Sequence, residues 1–233
     1  MSENQKERRK RQQDVWQDFL TWTTQHADSR WVYRGHPDVS YKLQPSIGRK
    51  SKYRLIDETA LLEIFARRAT EFFGHQELNR WDLIALAQHH GMPTRLLDWT
   101  SNPLVAAYFA TTSAPLDRDA TVIATRVSSD HIIDTGYHRE PLAISQTGFL
   151  LPRSITVRIV SQSGIFSCHH QPDSPWLPSG QISFDIPRDV RSFFQRRLFA
   201  FGIDHQRIMG GLDGLCARLS WQYAAGVGLG AVR

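Results

Sequence analysis

The stretch Gln88–Pro103, which reads QHHGMPTRLLDWTSNP, constrains the fold more than any other part of the chain. Gly91 ends a predicted helix, and Pro93 then forces the backbone to be extended. A short buried strand is predicted at Thr94–Leu97, and the chain leaves the strand from Asp98 onward. The Asn-Pro pair at the end of the stretch is typical of a helix start. We therefore expect polar side chains and helix N–H groups to gather at one end of this strand.

Hydrophobic periodicity predicts the other elements of the 233-residue chain. Helices are predicted at 6–25, 56–73, 82–90, from 103 onward, at 187–201 and at 212–223. Strands are predicted at 31–34, 120–127, 154–160 and 181–186. Because the strands do not alternate regularly with helices, we expect an α+β domain with a split, mixed or antiparallel sheet and flanking helices. A basic N-terminal helix at 1–28 precedes one domain at 29–225, and a flexible Gly-rich tail follows at 226–233.

The charge and the cysteine content exclude several classes of protein. The formal net charge of +5 favours polyanionic partners, although the basic clusters at 6–11 and 188–197 are equally typical of solvated helix faces. Two cysteines without CxxC spacing, Cys168 and Cys216, argue against a disulfide framework and a cysteine-rich zinc site. The charged N-terminus does not resemble a secretory signal, and no apolar run approaches the roughly 20 residues of a membrane span. We therefore expect a cytoplasmic protein with no membrane partner.

Arg34 is the first candidate binding residue. It lies at the predicted end of a strand, between Tyr33 and Gly35. A guanidinium at such a position can hold a phosphate or a carboxylate through its planar fork of donors. An ion pair with a structural carboxylate explains the residue equally well.

The central stretch supplies most of the other candidates. Its polar and aromatic side chains suit an anion and a stacked ring near a helix N-terminus. The candidates are His89, His90, Thr94, Arg95, Asp98, Trp99, Thr100 and Ser101. A buried Arg95–Asp98 ion pair with an ordinary helix cap is the structural alternative, and Trp99 can equally fill the core.

A third candidate, Gln162, follows the predicted strand at 154–160 and can hydrogen-bond a ligand, although glutamine is also common before a glycine in turns. Metal ligation is not expected, because His89 and His90 are adjacent and no HExxH motif occurs. The chain also has no Gly-x-Ser-x-Gly elbow, no GxxxxGK[ST] loop and no GxGxxG motif after a strand.

Taken together, three motifs resemble the FRG-domain family, which is named after a Phe/Tyr-Arg-Gly motif. These motifs are Tyr33-Arg34-Gly35, Gln88–Thr100 and Arg158-x-x-x-Gln162-x-Gly164-x-Phe166. The resemblance extends from about Trp31 to the C-terminal helix, where Gly202-Ile203 and Leu212–Leu215 also fit. It identifies 29–225 as an FRG-type domain.

A looser resemblance links the chain to ADP-ribosyltransferases of the arginine–serine–glutamate type, which implies their split sheet and NAD as the substrate. Arg34 then matches the arginine that holds the dinucleotide phosphates, with Arg95 as a second phosphate ligand. Trp99-Thr100-Ser101, followed by Ala106, Ala107 and Phe109, matches the segment that supports the nicotinamide ribose. The resemblance further implies that Tyr33, Gly35 and Thr94 contact the cofactor. It also implies that His89 or His90 contacts a ribose or the acceptor.

One position departs from that family. Gln162 stands near the expected catalytic glutamate, and an amide supplies no negative charge to an oxocarbenium-like ribose. Asp98 is then the best-placed acid. The sequence accordingly predicts an ADP-ribosyltransferase-like enzyme, in a toxin or antiviral-defence context, that modifies RNA, DNA or protein and is controlled by an antitoxin or immunity protein. The alternatives are a non-catalytic nucleotide- or nucleic-acid-binding module and, third, a metal-free nuclease that uses His89 and His90.

Overall fold

The fold is that of a computed structural model, which describes residues 2–49, 57–73, 78–151 and 164–228. Within these residues the chain has seven α-helices and six β-strands. The helices are α1 Glu3–Gln25, α2 Glu58–Phe73, α3 Arg80–His89, α4 Pro103–Thr112, α5 Arg191–Ala200, α6 His205–Met209 and α7 Gly211–Ala225. The strands are β1 Trp31–His36, β2 Leu96–Thr100, β3 Ala120–Arg126, β4 Gly148–Leu150, β5 Gly164–Cys168 and β6 Ile182–Ile186.

The six strands form one sheet in the order β4-β5-β2-β1-β3-β6, and every neighbouring pair is antiparallel. Five residue pairs join β2 to β5, and six join β1 to β3. By contrast, β1 and β2 are paired only at Tyr33 and Thr100. The sheet is therefore two three-stranded halves that separate beyond one shared residue pair. The predicted α+β class, with an antiparallel sheet, flanking helices and an N-terminal helix, is confirmed.

The predicted elements differ from the observed ones around the central strand. β2 begins at Leu96 and continues to Thr100, so Asp98 does not leave the strand as predicted but lies in its middle. Pairing with β5 explains the difference, because the sequence pattern did not reveal that neighbour. Neither β4 nor β5 was predicted. The predicted strand at 154–160 lies outside the described residues, as do Gln162 and the last five residues of the predicted tail.

One face of the β1-β3-β6 half is covered by α1, α4 and α5. Aromatic side chains dominate this core, since Trp16 of α1 lies edge-on to Phe194 of α5 and Phe19 packs against both Phe194 and Phe184. Trp16 and Phe19 are buried, whereas the basic residues at the start of α1 are exposed. The N-terminal helix is therefore joined to the domain through its second half.

The other half of the sheet is covered by α2 and α3. Leu62 of α2 and Trp81 of α3 pack on Leu96 and Phe166 of the sheet. A third cluster lies on the opposite face and includes Trp99. The two halves of the sheet are thus covered by different groups of helices.

α4 packs directly on β1 because residue 35 is a glycine. A Cβ atom at Gly35 would lie 2.0 Å from the carbonyl oxygen of Ala106 and 2.6 Å from the backbone nitrogen of Ala110. Backbone atoms cannot move aside as a flexible side chain can. The glycine is therefore a requirement of the close approach between helix and strand.

Arg191, at the start of α5, ties this region together from within the core. Only 2% of the residue is exposed, and its guanidinium donates to five backbone carbonyl groups. Its acceptors are the carbonyl oxygens of Pro37, Ala110, Ser113, Pro115 and Arg118. One side chain thus joins the end of α4, the loop that follows it and the turn after β1.

Two histidines are buried in the neutral form. Burial lowers the pKa of His36 and of His169 to about 3, and the positive charge of Arg34 acts in the same direction on both. Nε2 of His169 shares a hydrogen bond of 2.8 Å with the hydroxyl of Ser167, and that hydroxyl accepts one from the indole of Trp99. Protonation of either ring would place a cation in the interior.

Replacing Gly35 by alanine is expected to destabilise the protein by at least about 3 kcal/mol, because the added methyl group overlaps backbone atoms of α4. The matched control is Gly136→Ala, in an exposed loop where a Cβ meets only a side-chain oxygen of Asp134. That change should cost less than about 0.5 kcal/mol. Urea unfolding followed by circular dichroism measures both, and equal stabilities would contradict the packing argument.

The buried histidines predict that acid weakens the fold. Between their folded pKa of about 3 and the ordinary value of 6.5, the unfolded chain binds more protons than the folded one. The free energy of unfolding should therefore fall as the pH falls from about 6.5 toward 3. Above about pH 6.5 both histidines are neutral in the folded and the unfolded chain, so this loss of stability is absent there. Urea unfolding at pH 7, 6 and 5 should show a shallower dependence for His169→Asn than for the natural chain. If the free energy of unfolding of His169→Asn depends on pH as steeply as that of the natural chain, this histidine is not the cause of the acid sensitivity.

Candidate functional site

A cleft of about 410 Å³ opens where β1 and β2 separate. Its walls come from β1, β2, the end of α3, the inner side of α4 and the irregular segment before α2. The described residues that line it include Arg34, His36, Tyr41, Arg49, Gln88, His89, Asp98, Phe109 and Ser113. This volume falls within the range of about 300–1,000 Å³ that is typical of small-molecule sites.

Arg34 lies at the bottom of the split. Its Nη1 atom donates a hydrogen bond of 2.6 Å to the backbone carbonyl of Asp98, and its Nε atom donates one of 3.1 Å to Nε2 of His36. The carboxylate of Asp98 lies 3.8 Å from Nη1. Burial lowers the pKa of the guanidinium, although arginine keeps its charge in proteins. The side chain is thus a fixed positive charge that bridges the two separated strands.

His36 sets the orientation of that guanidinium. Alternation along β1 places it on the same face as Arg34, with Tyr33 and Gly35 on the face that α4 covers. Because Nε2 accepts a hydrogen bond from Arg34, the neutral ring carries its proton on Nδ1. Burial, followed by the charge of Arg34, holds the pKa of His36 at about 3.

Asp98 is the only carboxylate among the described residues that line the cleft, and its side chain is 54% exposed. Nε2 of Gln88 donates a hydrogen bond of 2.8 Å to this carboxylate. Oε1 of Gln88 in turn accepts a hydrogen bond of 2.6 Å from the hydroxyl of Thr94. A chain of polar contacts from Thr94 therefore fixes the carboxylate at the cleft mouth.

Arg95 is turned away from the cleft. Its guanidinium pairs with Glu58 of α2 at 2.8 Å, and a further donor reaches the carbonyl of Leu142. Both charged side chains of the Arg95–Glu58 pair are largely buried. The ion pair with Asp98 that the sequence suggested is wrong, because Arg95 pairs with Glu58 instead, and Arg95 is not among the residues that line the cleft. The Glu58 carboxylate is close to Arg95 in space but distant in the sequence, so the sequence pattern could not reveal this ion pair.

Tyr33, Trp99 and Thr100 are among the residues that line the cleft, yet all three are almost completely buried. The ring of Trp99 is buried, with its indole N–H donating to Ser167 at 2.9 Å. Thr100 is buried and its hydroxyl accepts from the backbone N–H of Asn102. Ser101 is exposed and does not line the cleft. The Tyr33 hydroxyl donates to the carbonyl of His26, and burial raises its pKa.

The two adjacent histidines do not point far apart: their ring centroids are 5.1 Å apart, and the rings are nearly perpendicular, in an edge-to-face contact. His89 lines the cleft, whereas His90 is exposed and caps the end of α3. In the part of the chain that the structure describes, no three metal-ligating side chains lie close enough to hold an ion.

Several lining residues were not among the predicted site residues. His36 could have been found, since it lies two residues after Arg34 and therefore on the same face of the strand. Gln88 lies within the central stretch but carries no charge that would mark it. Arg49 and Tyr41 lie in an irregular segment between β1 and α2, which carries no periodic signal.

The charges in the cleft suit an anion. Arg34 and Arg49 face it against the single carboxylate of Asp98, and Arg49 is oriented by hydrogen bonds of 3.1 and 3.0 Å to the carbonyl of Gln44. Aromatic rings of Tyr41 and Phe109 line the same space. Two guanidinium groups and two rings can receive a molecule that contains both phosphates and a flat ring.

Comparisons with known proteins agree with part of this picture. The family model of the FRG domain matches residues 29–119, a segment that includes β1, the central stretch and α4. No curated protein and no solved structure matches the chain. No described helix is long and apolar enough to cross a membrane. Residues 29–119 of this chain therefore match the FRG-domain family.

Proposed function

We propose that the cleft at the split binds NAD and that the protein transfers ADP-ribose from it to a macromolecule. The observation that carries the proposal is the pair of guanidinium groups, Arg34 and Arg49, facing one oriented carboxylate across a cleft with aromatic walls. Two phosphates of a dinucleotide need such a pair of cations. The rings of Tyr41 and Phe109 offer surfaces for a base or for nicotinamide.

The proposed reaction breaks the bond between the ribose C1′ atom and the nicotinamide nitrogen, and nicotinamide leaves as a neutral molecule. A nucleophilic atom of the acceptor then bonds to C1′ and loses its proton. The positive charge that develops on the ribose is stabilised by a nearby carboxylate. Asp98 is the carboxylate that the described part of the cleft offers, and Gln88 orients it. Gln162, outside the described residues, remains a proposed contact to a ribose hydroxyl.

The acceptor is proposed to be nucleic acid or protein, in the setting of a toxin or an antiviral-defence effector that an antitoxin or immunity protein controls. The net charge of +5 supports an encounter with RNA or DNA.

A second candidate is a module that binds a nucleotide without reaction. One observation favours it: Asp98 is already held by Gln88 and lies 3.8 Å from Arg34, so part of its charge is balanced before any ligand arrives. In this case the cleft would hold NAD or ADP-ribose, and no nicotinamide would be released.

Replacing Arg49 by alanine is expected to weaken the binding of ADP-ribose about tenfold, because one charge-assisted contact to phosphate is lost. Arg49 is exposed and its described contacts are to one local carbonyl, so the fold should be retained. The matched control is Arg139→Ala, which removes an exposed arginine outside the cleft. Isothermal titration calorimetry gives both affinities. Equal losses in the two variants would show that the effect comes from net charge alone.

Replacing Asp98 by asparagine is expected to leave the binding of ADP-ribose nearly unchanged and to abolish most of the transfer reaction. An amide oxygen can still accept from Gln88, so the affinity for ADP-ribose should change less than about threefold, while transfer should fall at least about a hundredfold. Labelled NAD is incubated with the protein and a cell extract, and label is read in the protein and RNA fractions separately. Nicotinamide release is measured in parallel.

The outcomes distinguish the two functions. Label transfer that is lost in Asp98→Asn supports the enzyme. Binding of NAD without release of nicotinamide, unchanged by Gln162→Glu, supports the non-catalytic module. Absence of binding would exclude both.

A further inference from the structure

The first part of α1, Glu3–Gln12, is a helical extension that the rest of the domain does not cover. Each residue before Gln12 is exposed, from Ser2 onward. The start of the helix is nevertheless fixed by a capping box. The side chain of Ser2 accepts from the backbone N–H of Gln5, and the side chain of Gln5 accepts from that of Ser2. At about 1.5 Å per residue, the extension presents about 15 Å of ordered helix to solvent.

The extension carries five basic residues and two acidic ones. Three of the basic residues have an acidic residue three or four positions away, the spacing of helical ion pairs: Lys6, Lys10 and Arg11. Arg8 and Arg9 have no acidic residue at either spacing. Within the part of the chain that the structure describes, neither side chain makes a hydrogen bond or an ion pair. An ordinary solvated helix face therefore accounts for three of the five cations and leaves these two arginines unbalanced.

The two arginines lie on one side of the helix together with Gln12. At about 100° per residue, the three positions fall within an arc of about 100°. Trp16 and Phe19 continue the same side farther along α1, where the domain buries them. Both acidic residues of the extension lie on the opposite side. The side that is apolar and buried in the second half of α1 is thus cationic and open in the extension.

The absence of apolar residues from the extension limits the kind of partner that it can bind. A helix that inserts into a membrane surface needs an apolar face, and protein interfaces depend on aromatic and aliphatic anchors. Guanidinium groups, by contrast, bind phosphates through paired donors. Arginine and glutamine are also the side chains that recognise the edges of guanine and adenine. Charge complementarity therefore favours a nucleic acid.

We propose that the extension binds double-stranded DNA by entering the major groove, with Arg8 and Arg9 donating to phosphates and Gln12 facing the base edges. The major groove of B-form DNA is about 12 Å wide and about 8.5 Å deep, so it admits an α-helix. The extension of about 15 Å is longer than the groove is deep, so it can enter before the domain meets the phosphates. The major groove of A-form RNA is too narrow for side chains to read.

The binding should be weak and steeply dependent on salt. Proteins that bind DNA through phosphate contacts alone have dissociation constants of roughly 10⁻⁴ to 10⁻⁶ M, and one inserted helix should give about 10 µM at low salt. Each phosphate contact contributes about −0.9 to the slope of log affinity against log salt concentration. This binding does not depend on the proposed reaction with NAD, because the extension lies outside the cleft.

The first test is fluorescence anisotropy of a labelled DNA duplex of about 20 base pairs with the whole chain at about 50 to 200 mM salt. The variant that combines Arg8→Gln with Arg9→Gln should bind at least about tenfold more weakly, and its salt slope should be shallower by about 1.8. Glutamine keeps the helix propensity, so circular dichroism should show unchanged helix content.

The matched control combines Arg67→Gln with Arg68→Gln, since these are also adjacent, exposed arginines on a helix, α2, and the net charge changes equally. The control should bind DNA within about twofold of the natural chain. Equal weakening in the two variants, or no binding by the natural chain at 200 µM protein and 50 mM salt, overturns the proposal. The affinity of the first variant for ADP-ribose should equal that of the natural chain, so the cleft is tested separately.

The second test uses the natural chain and identifies the groove. Three duplexes of one sequence are compared: plain DNA, DNA with a glucosyl group attached at C5 of its cytosines, and RNA. The sugar fills the major groove and leaves the phosphates unchanged, so the glucosylated DNA should bind at least about tenfold more weakly than plain DNA. The RNA duplex should be weaker by a similar factor. Equal binding of plain DNA and either of the other duplexes overturns the proposal.

Discussion

The direct contact between α4 and β1 at Gly35 determines where the cleft lies. Because residue 35 has no side chain, the backbone of α4 packs directly on β1. A Cβ atom at this position would lie 2.0 Å from the carbonyl oxygen of Ala106. Phe109 and Ser113, farther along the same helix, are thereby brought to the cleft that Arg34 enters from the strand. The glycine of the family motif is thus explained by packing, and the cleft follows from that packing.

Arg34 stabilises the junction of the two halves of the sheet and also lines the cleft. At the point where the sheet splits, it satisfies a backbone carbonyl of β2 and is itself held by a neutral histidine. These described contacts use two of the five guanidinium N–H groups. Because these contacts already fix the side chain, an anion that bound to it would cost less conformational entropy than one bound by a mobile arginine.

The predictions made from the sequence were most successful where local signals exist. The Asn-Pro start of α4 and the glycine after α3 both follow from short-range rules. The pairing of Arg95 with Glu58 was not predictable, because it depends on how α2 docks on the sheet. The extension of β2 depends on β5, which lies more than sixty residues later. Arg49 contributes to the cleft from a segment without periodicity, so its role appears only in three dimensions.

Arg191 has a consequence for the order in which the molecule can assemble. Its hydrogen bonds to the carbonyl groups of Ala110 and Ser113 span 81 and 78 residues. The end of α4 therefore gains these hydrogen bonds only after Arg191 has been synthesised. Val190, Phe194 and Leu198 complete the same core from the same late segment. Part of the core of the matched segment at 29–119 is therefore supplied by residues outside it. During synthesis the end of α4 and the loop after it would gain these contacts only after Arg191 has emerged, so a chain that stops before it would lack them.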